Sequence, residues 1–269
     1  MLLRASSILA ILAILALAPT ASLAAQRLDA AAVQARVATG TPSAPASLAG
    51  ADLSGVDLSG IDFRNASLTK ARLVGANLSG ADLFSCDLTD ADAEGADFRK
   101  ANLDGTTLRR AKLAKANLEG ASLFATIIEG ADLSGANLRG TRIIGYLKGA
   151  KLPGADLSGA DVGADAGNQS MGVMRAQFVS ADLTGATLAG TNLFKADFSY
   201  ASLRDADLTG ANLANAELVG TDFTGANVTD AQFDKADVAG AIFTRVTGRD
   251  RMKGLDGTRN TDKAIFDAR

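Results

Sequence analysis

Residues 51–60 read Ala51-Asp52-Leu53-Ser54-Gly55 and then Val56-Asp57-Leu58-Ser59-Gly60. Each half runs small or β-branched, Asp, large apolar, free position, glycine. The same order extends in both directions. The central apolar residue returns every five positions from Leu48 to Ile143, and only Ala93 is undersized. One residue is missing between Ile143 and Leu147, after which the register resumes as Leu147, Leu152, Leu157 and Val162. An irregular stretch at 163–172 interrupts it, and a last block runs from Val173 and Phe178 to Phe243. Repetition of this kind outranks local propensity as a guide to the fold.

A period of five restricts the backbone. In a helix five residues advance by about 500°, so the leucines would drift around the axis. In a flat strand an odd period sends each leucine to the opposite face. The chain must therefore turn once per unit, so that every leucine points to one interior. Most of the 28 glycines fall two residues after a central apolar position, where a turn needs permissive backbone. Alanine fills the position two before the centre, with Thr106, Thr126, Thr141, Thr191 and Thr221 as variants. Such small side chains also fit a narrow interior. Cys86 takes one of these positions, which predicts a buried, inert thiol.

These units, of the form A-[DN]-L-x-x, resemble the pentapeptide-repeat family over about residues 46–247. The resemblance implies an all-β fold, a right-handed quadrilateral β-helix with four units per turn. It implies about ten coils stacked at ~4.8 Å, with capped ends. Residues 26–37 read as a short cap helix with Leu28, Ala31, Ala32 and Ala35 on one side, inside an N-terminal segment of cap and linker at 25–45. Residues 248–269 leave the repeat and read as a C-terminal cap, with Met252, Leu255, Ile265 and Phe266 to cover the last coil. This cap is mildly basic and reads as a solvated end, with a weak anion contact or a homodimer contact as the alternative.

Composition excludes several chemistries. The chain has 269 residues, a net charge of −3 and no histidine. Ser-His-Asp and Cys-His catalysis and His-ligated metals are ruled out, and one cysteine rules out internal disulfides and Cys-rich zinc sites. No catalytic residue, cofactor or metal is expected. Aspartates occur in every coil with no distinctive pair, which argues against a carboxylate-based hydrolase. Nothing marks a basic nucleic-acid binder.

The first residues carry an export signal. Arg4 supplies the positive start, Ile8 to Leu17 the apolar run, and Ser22-Leu23-Ala24 the small residues before a cut after Ala24. The competing reading is an uncleaved anchor. Cleavage would release residues 25–269 into the periplasm or another exported compartment, with no membrane attachment afterwards. Some cytoplasmic members of the family that the repeats resemble mimic a DNA duplex, inhibit DNA gyrase and protect it from quinolones. The export signal argues against that role here.

Residues twenty apart should stack. The column Asp52, Arg72, Asp92, Lys112, Asp132 alternates in sign, and Arg99, Glu119, Arg139 does likewise. Arg175, Lys195 and Lys235 each precede Gln177, Asp197 and Asp237 by two, suggesting local charge compensation. A third column, Phe84, Asp104, Phe124, Ile144, puts apolar side chains on one outer face, and Met174 with Phe194 suggests a similar stack. An exposed apolar stripe can mark a partner surface. The 163–172 loop, with Asn168, Gln169 and Met171, is a second candidate because loops on rigid scaffolds often carry function. The expectation is a non-enzymatic scaffold whose partner is a protein.

Overall fold

The fold is described from a computed structural model covering residues 27–41, 43–164 and 174–267. Its unit is a tight turn. Ala51 N–H donates to the Leu48 carbonyl at 3.0 Å, and Gly50 between them has φ +67°. The same bond joins Val56 to Leu53 and Ala71 to Leu68. Non-glycine residues occupy this corner where the repeat varies, among them Asn65, Lys70 and Arg110 with φ +63°, +57° and +54°. The left-handed backbone costs such residues roughly 1–2 kcal/mol.

The recurrent Asp or Asn holds the corner. Asp52 Oδ1 accepts the Ser54 N–H at 3.1 Å, and Asn77 does the same for Ser79 at 3.0 Å. Asp97, Asp132, Asp182 and Asp207 repeat the bond to the residue two on. A short side-chain acceptor satisfies an amide that the turn would otherwise leave unpaired.

Coils join through parallel backbone bonds. Leu48 N–H donates to the Ser67 carbonyl at 2.7 Å, and Ser67 N–H returns to the Ala46 carbonyl at 2.9 Å. Four ladders run through Ser47, Asp52, Asp57 and Asp62, so each coil has four sides, called here sides 1 to 4 in that order. The side 2 ladder runs Arg27, Asp52, Arg72, Asp92, Lys112, Asp132, Lys151, Asp182, Ser202, Asp222, Ile242 and Ile265. Central leucines and the alanines two before them fill the interior without exposure. Phenylalanines stack along the axis, Phe178 on Phe198 and Phe223 on Phe243, each with centroids 4.7 Å apart. The five threonines at the small position are buried, and each hydroxyl donates to a carbonyl, Thr106 to Leu83 at 2.7 Å and Thr221 to Phe198 at 2.8 Å among them. Cys86 is buried, and its thiol donates to the Phe63 carbonyl at 3.0 Å.

The ladder survives both interruptions. Asp132 pairs with Lys151, nineteen residues on, and Lys151 with Asp182, thirty-one on; spacing then returns to twenty at Asp182 and Ser202. Both irregularities fall at one corner, between sides 4 and 1. There β1 (Ser122–Ile127) and β2 (Arg142–Tyr146) pair in parallel across the corner; β2 runs straight through it, while β1 keeps a left-handed residue at Ala125 (φ +55°). The register shifts between Phe124 and Thr126, and Gly145 faces Thr126 across the shift.

The C-terminal segment does not leave the coil. Thr247, Lys253, Arg259 and Ile265 pair with Asn227, Gln232, Asp237 and Ile242, so the step per side rises from five residues to six. Gly248, Gly254 and Asn260, also six apart, have positive φ and lead into short 3-10 turns at Arg249–Arg251, Leu255–Gly257 and Thr261–Lys263. Strand β3 (Ile242–Phe243) pairs with β4 (Ile265–Phe266), and Phe266 stacks on Phe243 at 5.1 Å. Met252 also packs on the core, but Ile265 does not cover it: as a ladder residue it points outward and is 51% exposed.

At the other end, α1 (Ala30–Val37) starts later than the sequence pattern suggests, with Asp29 as its cap accepting the Ala32 N–H at 2.8 Å. The expected stripe of Ala31, Ala32 and Ala35 is exposed. Val33 and Val37, four apart, pack on the core instead. Leu28 precedes the helix and is buried as its N–H donates to the Asp52 carbonyl. No helix among the described residues is long and apolar enough to cross a membrane. The segment 1–24, expected to be an export signal, lies outside the described residues.

Gly145 is the position where a side chain fits least. A Cβ there would lie 2.2 Å from the Thr126 carbonyl oxygen and 3.1 Å from its nitrogen, both backbone atoms. At Gly159 (φ +66°) nothing lies within 4 Å of such a Cβ. Gly145→Ala should cost on the order of 3 kcal/mol and Gly159→Ala roughly 1 kcal/mol, read from urea midpoints at equal m-value. Equal costs would contradict the straight-through corner.

Candidate interaction surface

Side 4 presents the expected apolar column, with changes. Phe84 is 44% exposed and Phe124 is half-buried. Asp104 separates them and turns toward the later coil, accepting the Phe124 N–H at 2.9 Å. Ile144 does not join the exposed stripe, because it is fully buried. Loss of one residue after Ile143 removes the corner, so Ile144 lies within β2 opposite Phe124, outside the interior cluster.

Met174 and Phe194 are both half-buried, but they are not ladder partners. The Phe194 carbonyl accepts the Ala164 N–H at 2.9 Å, which sets Phe194 over the end of the preceding coil. The insertion intervenes between that coil end and Met174, so twenty-residue stacking fails there. Asn168, Gln169 and Met171 lie outside the described residues, as does most of the 163–172 loop.

Three exposed apolar side chains escape the column reading: Tyr146 at 45%, Tyr200 at 67% and Ile265. Tyr146 ends β2 on the ladder of side 1, opposite Ile127. Tyr200 stands at a corner with φ +60°, and its ring covers Gly220 one coil on. The available signal for Tyr200 is a bulky residue in a position normally held by glycine.

The charged columns are largely compensated. The alternating series on side 2 runs longer than five residues, from Arg27 to Asp182. Its pairs are loose: Arg72 and Asp52 approach to 3.9 Å, Lys112 and Asp92 to 4.0 Å. In the Arg99, Glu119, Arg139 column the arginines turn to the neighbouring ladder, Arg99 to Asp97 at 2.6 Å and Arg139 to Asp156 at 3.1 Å. Such exposed pairs contribute about 0–1 kcal/mol each.

Compensation fails for two lysines. Arg175 reaches Asp197 at 3.2 Å and Glu217 at 3.8 Å, while Arg259 reaches Glu217 at 3.5 Å and Asp237 at 3.9 Å. The acids expected to pair with Lys195 and Lys235 are therefore held by arginines. Among the described residues neither lysine has a carboxylate partner. Lys195 instead lies over the Phe194 ring, 5.3 Å from its centroid.

The titratable groups are tuned for structure. The Ser54 hydroxyl and amide hold Asp52 below the ordinary carboxylate value, and Ser59 does so for Asp57. The Arg110 guanidinium, with bonds of 2.8 Å to both oxygens, lowers Asp90. Burial pushes the Cys86 thiol up to about 12, which removes its thiolate at neutral pH. No cluster of His, Cys, Asp or Glu that could hold a metal occurs among the described residues.

The family profile described as pentapeptide repeats matches eight copies, at residues 46–83, 86–123, 101–140, 174–210 and 206–245. The chain belongs to the pentapeptide-repeat family, whose members form right-handed quadrilateral β-helices. Among solved structures it is similar to HetL, a pentapeptide-repeat protein involved in heterocyst differentiation regulation in the cyanobacterium Nostoc sp. strain PCC 7120. The identity is 30%, over 81% of this chain and 86% of that one, with a TM-score of 0.31. A pentapeptide-repeat protein of the Arabidopsis thaliana thylakoid lumen is 36% identical over 38% of this chain and 74% of its own, at a TM-score of 0.34. QnrB1, a plasmid-mediated fluoroquinolone resistance protein, is 20% identical over 77% and 90%, at 0.33. No curated protein matches.

Asp52, Asp57 and Asp132, which hold corners, have folded-state pKa values below the ordinary 3.8. Their contribution is complete above that pH and is lost as the pH falls through the lowered values. With no histidine, nothing in the chain changes charge near neutrality except its amino terminus. Urea midpoints should be flat from about pH 5 to about pH 8 and fall steeply below pH 3.8. A midpoint that rises on acidification would contradict these assignments.

Proposed function

We propose that this chain is a non-enzymatic, exported scaffold that binds a protein partner through the corner between sides 4 and 1. The observation that carries the reading is the concentration of irregularity there. β2 straightens the corner beside the Ala125 bulge of β1, the insertion follows one coil later, and Phe84, Phe124, Tyr146 and Phe194 lie on its two flanking sides. Elsewhere the repeat aspartates serve as turn acceptors, which accounts for their abundance without a catalytic role. Membership of a family of generally non-enzymatic scaffolds supports the same reading. The leader at 1–24 supports export to the periplasm or a comparable compartment.

The test is fractionation of the native host carrying a C-terminally tagged chain, followed by cross-linking and capture. The expected product lacks residues 1–24, sits in the exported fraction and captures a discrete protein. Phe84→Ser combined with Phe194→Ser should reduce that capture about tenfold while leaving the thermal midpoint within a few degrees. Cytoplasmic residence would overturn the export reading. Capture unchanged by the double substitution would overturn the placement of the surface.

A further inference from the structure

The corner between sides 4 and 1 continues, past the insertion, into a shallow groove of about 620 Å³. Its lining is Arg175, Lys195, Asn215, Glu217, Lys235 and Arg259. Lys195, Asn215 and Lys235 hold the corner position of three successive coils, with φ +60°, +58° and +58°. At the same level no other corner carries a cation; two of them hold Gly185, Asp205 and Gly225, and Gly190, Gly210 and Asp230. Placing long side chains in left-handed backbone costs roughly 1–2 kcal/mol each, and glycine would avoid it. The chain thus sets cations where a smooth corner is the cheaper solution.

Neither lysine is drawn to an acid, although Lys195 lies over the Phe194 ring. Arg175 and Arg259 occupy Asp197, Glu217 and Asp237, as described above, and neither lysine has a carboxylate partner among the described residues. The two ammonium groups stand two coils apart, about 10 Å along the axis. The Asn215 corner lies between them and lines the groove.

We infer that this groove binds an acidic segment of a partner protein, in extended form, with carboxylates about 10 Å apart meeting Lys195 and Lys235. Asn215 is placed to hydrogen-bond the segment's backbone between them. A peptide can place carboxylates at the spacing of the two lysines, whereas a nucleic acid brings a phosphate at every residue against a groove whose arginines are already held by acids. The proposal rests on the reading of the chain as a protein-binding scaffold and specifies the chemistry of the bound segment.

The experiment is fluorescence anisotropy of the full mature chain with three labelled probes. These are a peptide alternating Glu and Gly, its Gln counterpart, and a single-stranded oligonucleotide of equal charge. The variant is Lys195→Asn with Lys235→Asn, which the fold accepts because Asn65 and Asn215 already hold this corner. The control is Lys100→Asn with Lys115→Asn, at other corners. The Glu peptide should bind, weaken as salt rises, and lose about tenfold in affinity in the variant but not in the control. The Gln peptide and the oligonucleotide should bind at least about tenfold more weakly. No binding of the Glu peptide, equal binding of the Gln peptide, tighter binding of the oligonucleotide, or indifference to the double substitution overturns the assignment. Any of these leaves capture through the Phe84 and Phe194 surface to be judged separately, so the two readings fail independently.

Discussion

Everything in this molecule depends on a backbone corner that recurs every fifth residue. The corner needs one residue with positive φ, and an Asp or Asn two residues ahead of the exposed amide to accept its proton. Once that pair is in place, the intervening large side chain has only one direction open to it. Four corners close a coil, and each coil offers its amides and carbonyls to the next. The interior then fills with leucine and alanine, because the sides lie too close for much else. Stability in such an arrangement is close to a sum of nearest-neighbour terms. That explains how the chain absorbs a deleted residue and an insertion without losing its ladder.

The last coil shows which part of the constraint is essential. Between Val246 and Phe266 the unit lengthens to six residues and the Asp acceptor is given up. A positive-φ residue is still present, at Gly248, Gly254 and Asn260, but it directly follows the ladder residue instead of standing three after it, and the ladder continues. The extra residue is taken up in a 3-10 turn on the outside. The inward positions, Val246, Met252 and Ala264, are partly buried against the core. This coil therefore closes the end using its own repeat rather than a separate element.

Much of this was legible from residues alone, and the physical reason is that a strict period assigns side-chain direction. The leucines, the small threonines, Cys86 and the turn role of aspartate all follow from position within the unit. Legibility failed where position alone does not decide. Ile144 read as exposed because stacking was carried across a missing residue. The alanines of α1 read as a buried stripe because composition was weighed over the branched Val33 and Val37. Lys195 and Lys235 read as neutralised because a column shows which charges are near, and not which of two cations reaches the acid first. The arginines won, through a longer side chain and two donor nitrogens. The six-residue coil went unseen because its glycines were out of step with the period being followed.

The central claim is that one continuous ladder joins every coil, across the slip, the insertion and the change of step. Residue-resolved amide hydrogen exchange tests it most directly. The amides of Leu147 and Leu152, bonded to Gln177 and Asp182 beyond the insertion, should be as protected as those of Leu53 and Leu58. Those of Lys253, Arg259 and Ile265, bonded to Ala231, Ala236 and Ala241, should be protected well above exposed turn amides. Fast exchange at Leu147 and Leu152 would mean two separate solenoids, and fast exchange throughout 253–265 would mean an unstructured tail; either would contradict the account.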